Sequence, residues 1–332
     1  MRQLSIALQG DKAPADYAAL ATLVEDYGFD TLSIYADLGF HPAIVPLTLM
    51  AQQTSRIRLG PASLNPTLLH PVEIAGQIAL LDQVSGGRAY LGLARGAWLD
   101  TLGLTPDRPL RRLREAVTVI RHLLAGHDEG FTGECFQLPP GRLLHYPMLR
   151  PAVPLLIGTW GPRTLQFAGE VADEVKIGGS ANPALVPEIR RQLAVGEARA
   201  GRPAGSVGIV FGAVTVVDAD ATAARQQARQ EAARYLPVVA PLDPTADLAP
   251  ELLTRIATLV AAGAIAEAAA LIPDRTLDQF AFSGSPDRII AQTEALFAAG
   301  ASRVEFGTPH GLRPEQGIRL LGERVLPALR QR

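Results

Sequence analysis

The sequence predicts an α/β protein: a closed (β/α)8 TIM barrel with insertions, including a helical insertion after strand seven. Three observations point there. Eight short apolar runs alternate with longer amphipathic runs along the 332 residues. Two stretches exceed an ordinary connection, and both lie where a barrel tolerates added chain. A doubly wound open sheet usually carries a glycine-rich fingerprint after its first strand. Here that strand is followed by Gln9-Gly10-Asp11-Lys12, which is not that pattern.

The elements follow in order. Residues 4–8 read as strand one and 14–27 as a helix, with Pro14 suited to its first turn. Strand two covers 31–35, followed by a helix at 43–53. Strand three covers 57–64, followed by a helix at 72–84. Strand four, 89–94, leads through a loop into a helix at 110–125. Strand five, 153–158, precedes a helix near 163–171. Strand six, 174–178, precedes a helix at 184–200. Strand seven, 207–217, is the longest. Strand eight, 303–306, is followed by a last helix at 314–330. The segment 126–152 is rich in Gly and Pro and reads as a loop crossing the surface. The segment 219–284 is alanine-rich and helical, interrupted by Pro237, Pro241, Pro244 and Pro250, and is expected to roof the top face. Ser285-Pro286-Asp287 then reads as an N-cap with proline at the first helical position. Both segments are insertions in a single domain spanning 1–332.

Composition narrows the function. Hydrophobic residues make up 48% and charged residues 19%, which is globular rather than disordered. A net charge of -2 gives no reason to expect nucleic acid or an acidic membrane surface as partner. Lys12 and Lys176 are the only lysines, and Cys135 the only cysteine, so no internal disulfide and no Cys-rich zinc site can form. The apolar stretch ending at Gln9 is too short for a signal-peptide core. No apolar run approaches the roughly 18 residues of a membrane span. A cytoplasmic protein with a large core is expected. The apolar composition and alanine-rich helices leave surface to cover, so a homodimer is expected.

In such a barrel, chemistry gathers where strands end. Those positions hold Asp37 and His41; Ala62, Ser63 and Asn65; Arg95, Gly96, Trp98 and Asp100; Thr159, Trp160 and Gly161; Gly178, Gly179 and Ser180; Thr308 and His310. The set is glycine-rich, hydroxyl-bearing and aromatic. The six histidines are scattered with no HxH or HExxH pair, which disfavours a metal enzyme. No GxSxG elbow or Walker A loop occurs. Backbone amides and flat apolar walls remain, suited to a large planar cofactor and a small-molecule substrate.

Each segment has two readings. Gly92-Leu93-Ala94-Arg95-Gly96 exposes amides to an anion, or is an ordinary tight turn. Gly158-Thr159-Trp160-Gly161-Pro162 opens a helix whose free N–H groups suit a phosphate, and Trp160 either stacks on a ring or packs in the core. Asp37 hydrogen-bonds a ligand or caps its own turn. Arg95 balances an anion or is solvated. Lys176 lies inside strand six and points either to the lumen or to the helix layer.

Taken together, several segments resemble the luciferase-like oxidoreductases. They are Asn65-Pro66-Thr67, His70-Pro71, Leu81-Asp82, Ser85-Gly86-Gly87-Arg88-Ala89, Leu91-Gly92-Leu93, Arg112 to Ala116, Gly126, Phe131-Thr132-Gly133 and Pro154-Leu155-Leu156-Ile157-Gly158. The end, Val304-Glu305-Phe306-Gly307-Thr308-Pro309-His310-Gly311, resembles the methylenetetrahydromethanopterin reductase branch. The ordered match covers nearly the whole chain. The resemblance implies a (β/α)8 barrel using either the deazaflavin coenzyme F420 for hydride transfer or reduced FMN with molecular oxygen. It implies a non-prolyl cis peptide at Ala62–Ser63 behind the cofactor ring. It maps cofactor contacts onto Asp37, Ala62, Ser63, Asn65, Gly92, Leu93, Ala94, Arg95, Gly96, Gly158, Thr159, Trp160, Gly161, Gly178 and Gly179. Asp37 and His310 are the titratable candidates for the catalytic step.

Three positions depart from family patterns: Leu38 stands where some F420-dependent dehydrogenases have histidine, Ala97 where they have glutamate, and Ala7 where the reductase branch has an acid. These count against the reductase's own substrate and against a sugar-phosphate dehydrogenase. The leading expectation is an F420-dependent oxidoreductase acting on a small organic substrate. The alternatives are an FMN-dependent luciferase-like monooxygenase and a non-catalytic flavin-binding relative.

Overall fold

The computed structural model describes residues 2–142 and 144–331. Eight parallel strands form the barrel wall: β1 (Gln3–Leu8), β2 (Thr31–Ile34), β3 (Arg58–Pro61), β4 (Leu91–Ala94), β7 (Leu155–Gly158), β8 (Glu174–Gly178), β9 (Gly208–Val217) and β11 (Arg303–His310). Their order is β3-β2-β1-β11-β9-β8-β7-β4. Parallel bridges Leu59↔Ala89 and Leu64↔Leu93 join β3 to β4 and close the ring. Between the short extra strands β5 (Phe131–Thr132) and β6 (Gln137–Leu138) a hairpin turns, so segment 126–152 is not wholly loop.

Helices follow the strands where the local chemistry starts and stops them. The first, α1 (Pro14–Tyr27), opens on Pro14 and ends at Gly28, whose φ of 86° is the left-handed conformation glycine adopts without strain. Then come α2 (Ile44–Gln53), α3 (Pro71–Val84), α4 (Pro109–Ala125), α5 (Pro162–Val171) and α6 (Val186–Arg199). The insertion after β9 folds as α7 (Ala221–Val239), α8 (Pro250–Ala261), α9 (Ile265–Ala270) and α10 (Asp274–Phe280). Asp220 caps α7 by accepting from the Thr222 and Ala223 amides.

The insertion ends in a strand, β10 (Ala281–Gly284), where helix was expected. Ala281 to Gly284 pair in parallel with Val214 to Val217, the part of β9 that extends beyond β8. Ser285 then caps α11 (Pro286–Ala299), accepting from the Arg288 amide, as its sequence predicts. The last strand runs on to His310, four residues past the expected end, with a register shift between Gly307 and His310. The terminal helix is α12 (Pro314–Leu320) and α13 (Leu326–Arg330) joined by a π-helical turn at Leu321–Val325, where Gly322 lies against the Tyr27 ring. One apolar cluster fills the barrel wall and helix layer, and a second sits under α7 to α10. Among the described residues no helix is long and apolar enough to cross a membrane.

Candidate active site

The lumen carries charge. On β8 and β11 every second residue points inward, so Glu174 and Lys176 face Arg303 and Glu305. Arg303 donates from Nε to Glu174 Oε1 at 3.1 Å and from Nη2 to Oε2 at 3.0 Å. Its Nη1 reaches Glu305 Oε2 at 3.5 Å. Ser33 Oγ donates to the same oxygen at 2.6 Å, and Lys176 Nζ donates to Glu305 Oε1. Tyr90 donates to the Gly60 carbonyl at 3.1 Å and lies 2.8 Å from Ser33 Oγ. Burial opposes ionisation of Glu305, but Lys176 and Arg303 outweigh it and hold its carboxyl below the usual range. Alternating signs are what make this arrangement tolerable, since an unpaired charge at that depth costs several kcal/mol.

Above this column the lumen-facing positions become glycines, three of them for a local steric reason. A Cβ on Gly92 would overlap the Pro61 carbonyl, and one on Gly307 would overlap the Tyr35 hydroxyl. A Cβ on Gly158 would press Ser63 Oγ at 3.1 Å. At Gly178 the Cβ position meets nothing within 4 Å. The mouth therefore has a floor made of Tyr35 and Ser63, with open space beside Gly178. The Ala62–Ser63 peptide is cis, as the resemblance implied, and the Ala62 amide donates to the Ile34 carbonyl at 2.8 Å.

The strand-end loops surround this floor. Asp37 stands at the rim, where Gln9 Nε2 donates to its Oδ2 at 3.2 Å. Desolvation by the surrounding wall raises its pKa, opposed by Gln9 and Lys176. Asp37 itself is exposed, so solvent screening tempers that shift. Asn65 is buried and its Oδ1 accepts from the Thr67 and Leu68 amides at 3.2 and 3.0 Å, so its side chain shapes a turn. Leu93 is wholly buried, Ala94 half-buried, and Gly96 takes a φ of 96°. Arg95 is exposed and has no hydrogen-bond or ion-pair partner among the described residues. Thr159 Oγ1 accepts from the Gly161 amide, and Trp160 Nε1 donates to the Gly178 carbonyl at 2.9 Å, which ties the β7 and β8 loops together. Gly179, with φ of 78°, lies against Tyr235 and Val239 of α7. The insertion thus supplies one wall of the mouth.

His310 lies apart from this group. It is 1% exposed, and its Nε2 faces the Ala7 carbonyl at 3.1 Å. A carbonyl only accepts, so Nε2 carries the proton. Burial lowers its pKa to about 4, leaving the ring neutral. The residues that position alone did not reveal are Tyr35, Lys176 and Glu305. Period-two spacing puts Lys176 on one face with Glu174 and Gly178, and the contacts with Arg303 and Glu305 show that this face is the lumen. Two other cavities, of about 370 and 450 Å³, lie beneath residues 144–151 and beside Arg88 on the opposite face. Neither gathers the titratable groups that surround the mouth, and Arg88 is already saturated by carbonyls and Thr54. Among the described residues no group of three or more His, Cys, Asp or Glu is placed to hold a metal ion.

The chain is similar over nearly its whole length to several known proteins. It is 32% identical to a 5,10-methylenetetrahydromethanopterin reductase of Archaeoglobus fulgidus, over 93% of this chain and 94% of that one. It is 28% identical to an F420-dependent glucose-6-phosphate dehydrogenase of Microbacterium testaceum, over 96% of this chain and 94% of that protein. The solved structure of the coenzyme F420-dependent tetrahydromethanopterin reductase from Methanopyrus kandleri superposes with a TM-score of 0.90, covers 99% of both chains and shares 27% identity. An F420-dependent secondary alcohol dehydrogenase shares the fold, with a TM-score of 0.76 at 20% identity. The model of the luciferase-like monooxygenases matches residues 2–303, and the chain belongs to that family.

Proposed function

We propose that the protein is a coenzyme F420-dependent oxidoreductase that exchanges a hydride between the deazaflavin and a small organic substrate. The observation that carries this reading is the agreement over 99% of the chain with the F420-dependent reductase of Methanopyrus kandleri. Sequence identities of 28–32% to F420-named and methanopterin-reductase relatives support it.

The residues at the mouth fit such a group. Open space at Gly178 and the Tyr35–Ser63 floor suit a flat ring. Arg95, exposed and without a partner among the described residues, offers a cation to a polyanionic tail. At the start of α5 the Gly161 amide is taken by Thr159 Oγ1 and the Thr164 amide by the Gly161 carbonyl, and Pro162 has none, so one first-turn amide, that of Arg163, is open to a phosphate. When bound, F420 supplies the hydride chemistry. The chain binds it, orients it and keeps water from its face. Asp37, whose raised pKa follows from desolvation, is the proposed proton-handling group at the rim. His310 is assigned to holding the end of β11 against β1, since its ring is turned to Ala7.

A homodimer belongs to the same reading. Val45 on α2 and Leu80 on α3 are 59% and 49% exposed, apolar surface that a second copy would cover. Sedimentation showing a monomer at micromolar concentration would remove that element.

Titration of the purified protein with F420 and with FMN tests the cofactor. Saturable F420 binding with little FMN binding is expected. Tight FMN binding with no response to F420 would replace this reading with an oxygen-using monooxygenase. Binding of neither would favour a non-catalytic relative.

A further inference from the structure

We propose that Tyr35 is a ligand-binding residue: its phenol donates a hydrogen bond to a carbonyl oxygen or ring nitrogen on the polar edge of the planar ligand, with Lys176 as the residue that positions it. The inference rests on the F420 reading above.

Four observations converge on Tyr35. Its side chain leaves the end of β2 and sets its hydroxyl against Gly307 of β11, two strands away. That path lays the ring across the top of the lumen, as part of the floor beneath the mouth. The hydroxyl has no hydrogen-bond partner among the described residues, although the residue is more than half-buried. The hydroxyl is not sealed from solvent, so it faces the mouth, where water or a ligand from outside the chain can accept its hydrogen bond. Glycine at position 307 is required by this placement, because any side chain there would displace the hydroxyl. Finally, the ring is supported from below. Lys176 Nζ lies 4.9 Å from its centroid, a cation–π contact, and is itself held by fully buried Glu305.

The chemistry of the ligand follows. Burial and the nearby carboxylates of Glu305 and Asp37 push the Tyr35 phenol well above its ordinary value, so it stays neutral and donates. A donor of that kind recognises a neutral or partly negative acceptor, not an ammonium or a guanidinium. Ser63 Oγ, also without a partner among the described residues, lies on the same floor beside Gly92 and Gly158. Both hydroxyls therefore address one polar edge.

The test is equilibrium titration with F420, followed by fluorescence and by the position of the bound absorption band. Tyr35→Phe keeps the ring and its contact with Lys176 but removes the donor. It is expected to weaken binding about tenfold and to shift the bound band, with an unchanged melting temperature. A second variant, Lys176→Met with Glu305→Gln, removes both charges together. It is expected to weaken binding in the Tyr35 background and to add little once Tyr35 is already Phe, because Lys176 acts through the ring. Tyr35→Phe binding within about twofold of the unaltered protein, with the same band, overturns the inference alone. Failure of the unaltered protein to bind F420 overturns the functional reading and this inference with it.

Discussion

Lys176 and Glu305 pair across β9 in the barrel lumen, with 6% and 0% of their side chains exposed. Gly212 of the intervening strand leaves the room, since a Cβ there would come within 3.0 Å of Lys176 Cε. Removing the lysine alone leaves Glu305 with only Arg303 and Ser33 to offset its burial. Lys176→Met is therefore expected to cost about 3–5 kcal/mol in chemical denaturation. Adding Glu305→Gln should recover a large part of that loss. A single variant as stable as the parent would show that the pair is not holding the lumen.

Gly92 and Gly178 face the same mouth and should respond in opposite ways. A methyl at Gly92 meets the Pro61 carbonyl, so Gly92→Ala is expected to destabilise by about 1–3 kcal/mol. Gly178 has open space and an ordinary strand conformation, so Gly178→Ala should be neutral or slightly stabilising. It should nevertheless weaken F420 binding, because the methyl enters the space assigned to the ring. Calorimetric melting and F420 titration of both variants separate the two effects.

His310 predicts a pH dependence of stability. Its pKa is about 4 in the folded protein and about 6.5 when unfolded. Between those values the unfolded chain binds more protons, so stability rises with pH through that window and is lost on acidification. The full effect is about 3 kcal/mol, reached below pH ~4. His310→Asn should flatten this part of the curve, and asparagine tolerates the φ of 76° at that position. An unchanged slope between pH ~4 and ~6.5 in the variant would assign the dependence to other groups.

Arg95 tests the assignment of the cofactor tail. It is exposed and has no partner among the described residues, so Arg95→Glu is expected to leave the melting temperature unchanged. F420 binding should weaken by about 1–3 kcal/mol, with the deficit shrinking as salt rises. A deficit independent of salt, or no deficit, would place the tail elsewhere.

The barrel was legible because its signals are periodic and local. Pro14 and Pro286 opened helices, and apolar runs such as 207–217 marked strands. What was less legible depended on partners distant in sequence. Ala281-Phe282-Ser283-Gly284 is a strand because β9 offers it an edge, not because of its own propensity. The inward face of β8 could not be chosen from sequence, since a barrel strand is buried on both sides and its apolar pattern does not alternate. Lys176 is therefore left between lumen and helix layer by sequence alone, and nothing local singles out Tyr35. Gly92 looked like a place for a ligand to approach, whereas its missing side chain is filled by the Pro61 carbonyl of the same chain. Asn65 looked like a cofactor contact, and its oxygen is engaged in its own turn.

A crystal structure with F420 bound is the most direct test of the central claim. The deazaflavin ring is expected over the Tyr35–Ser63 floor beside Gly178, its tail toward Arg95, and Asp37 at the rim. Density for F420 outside the mouth, or FMN retained there in its place, would contradict it.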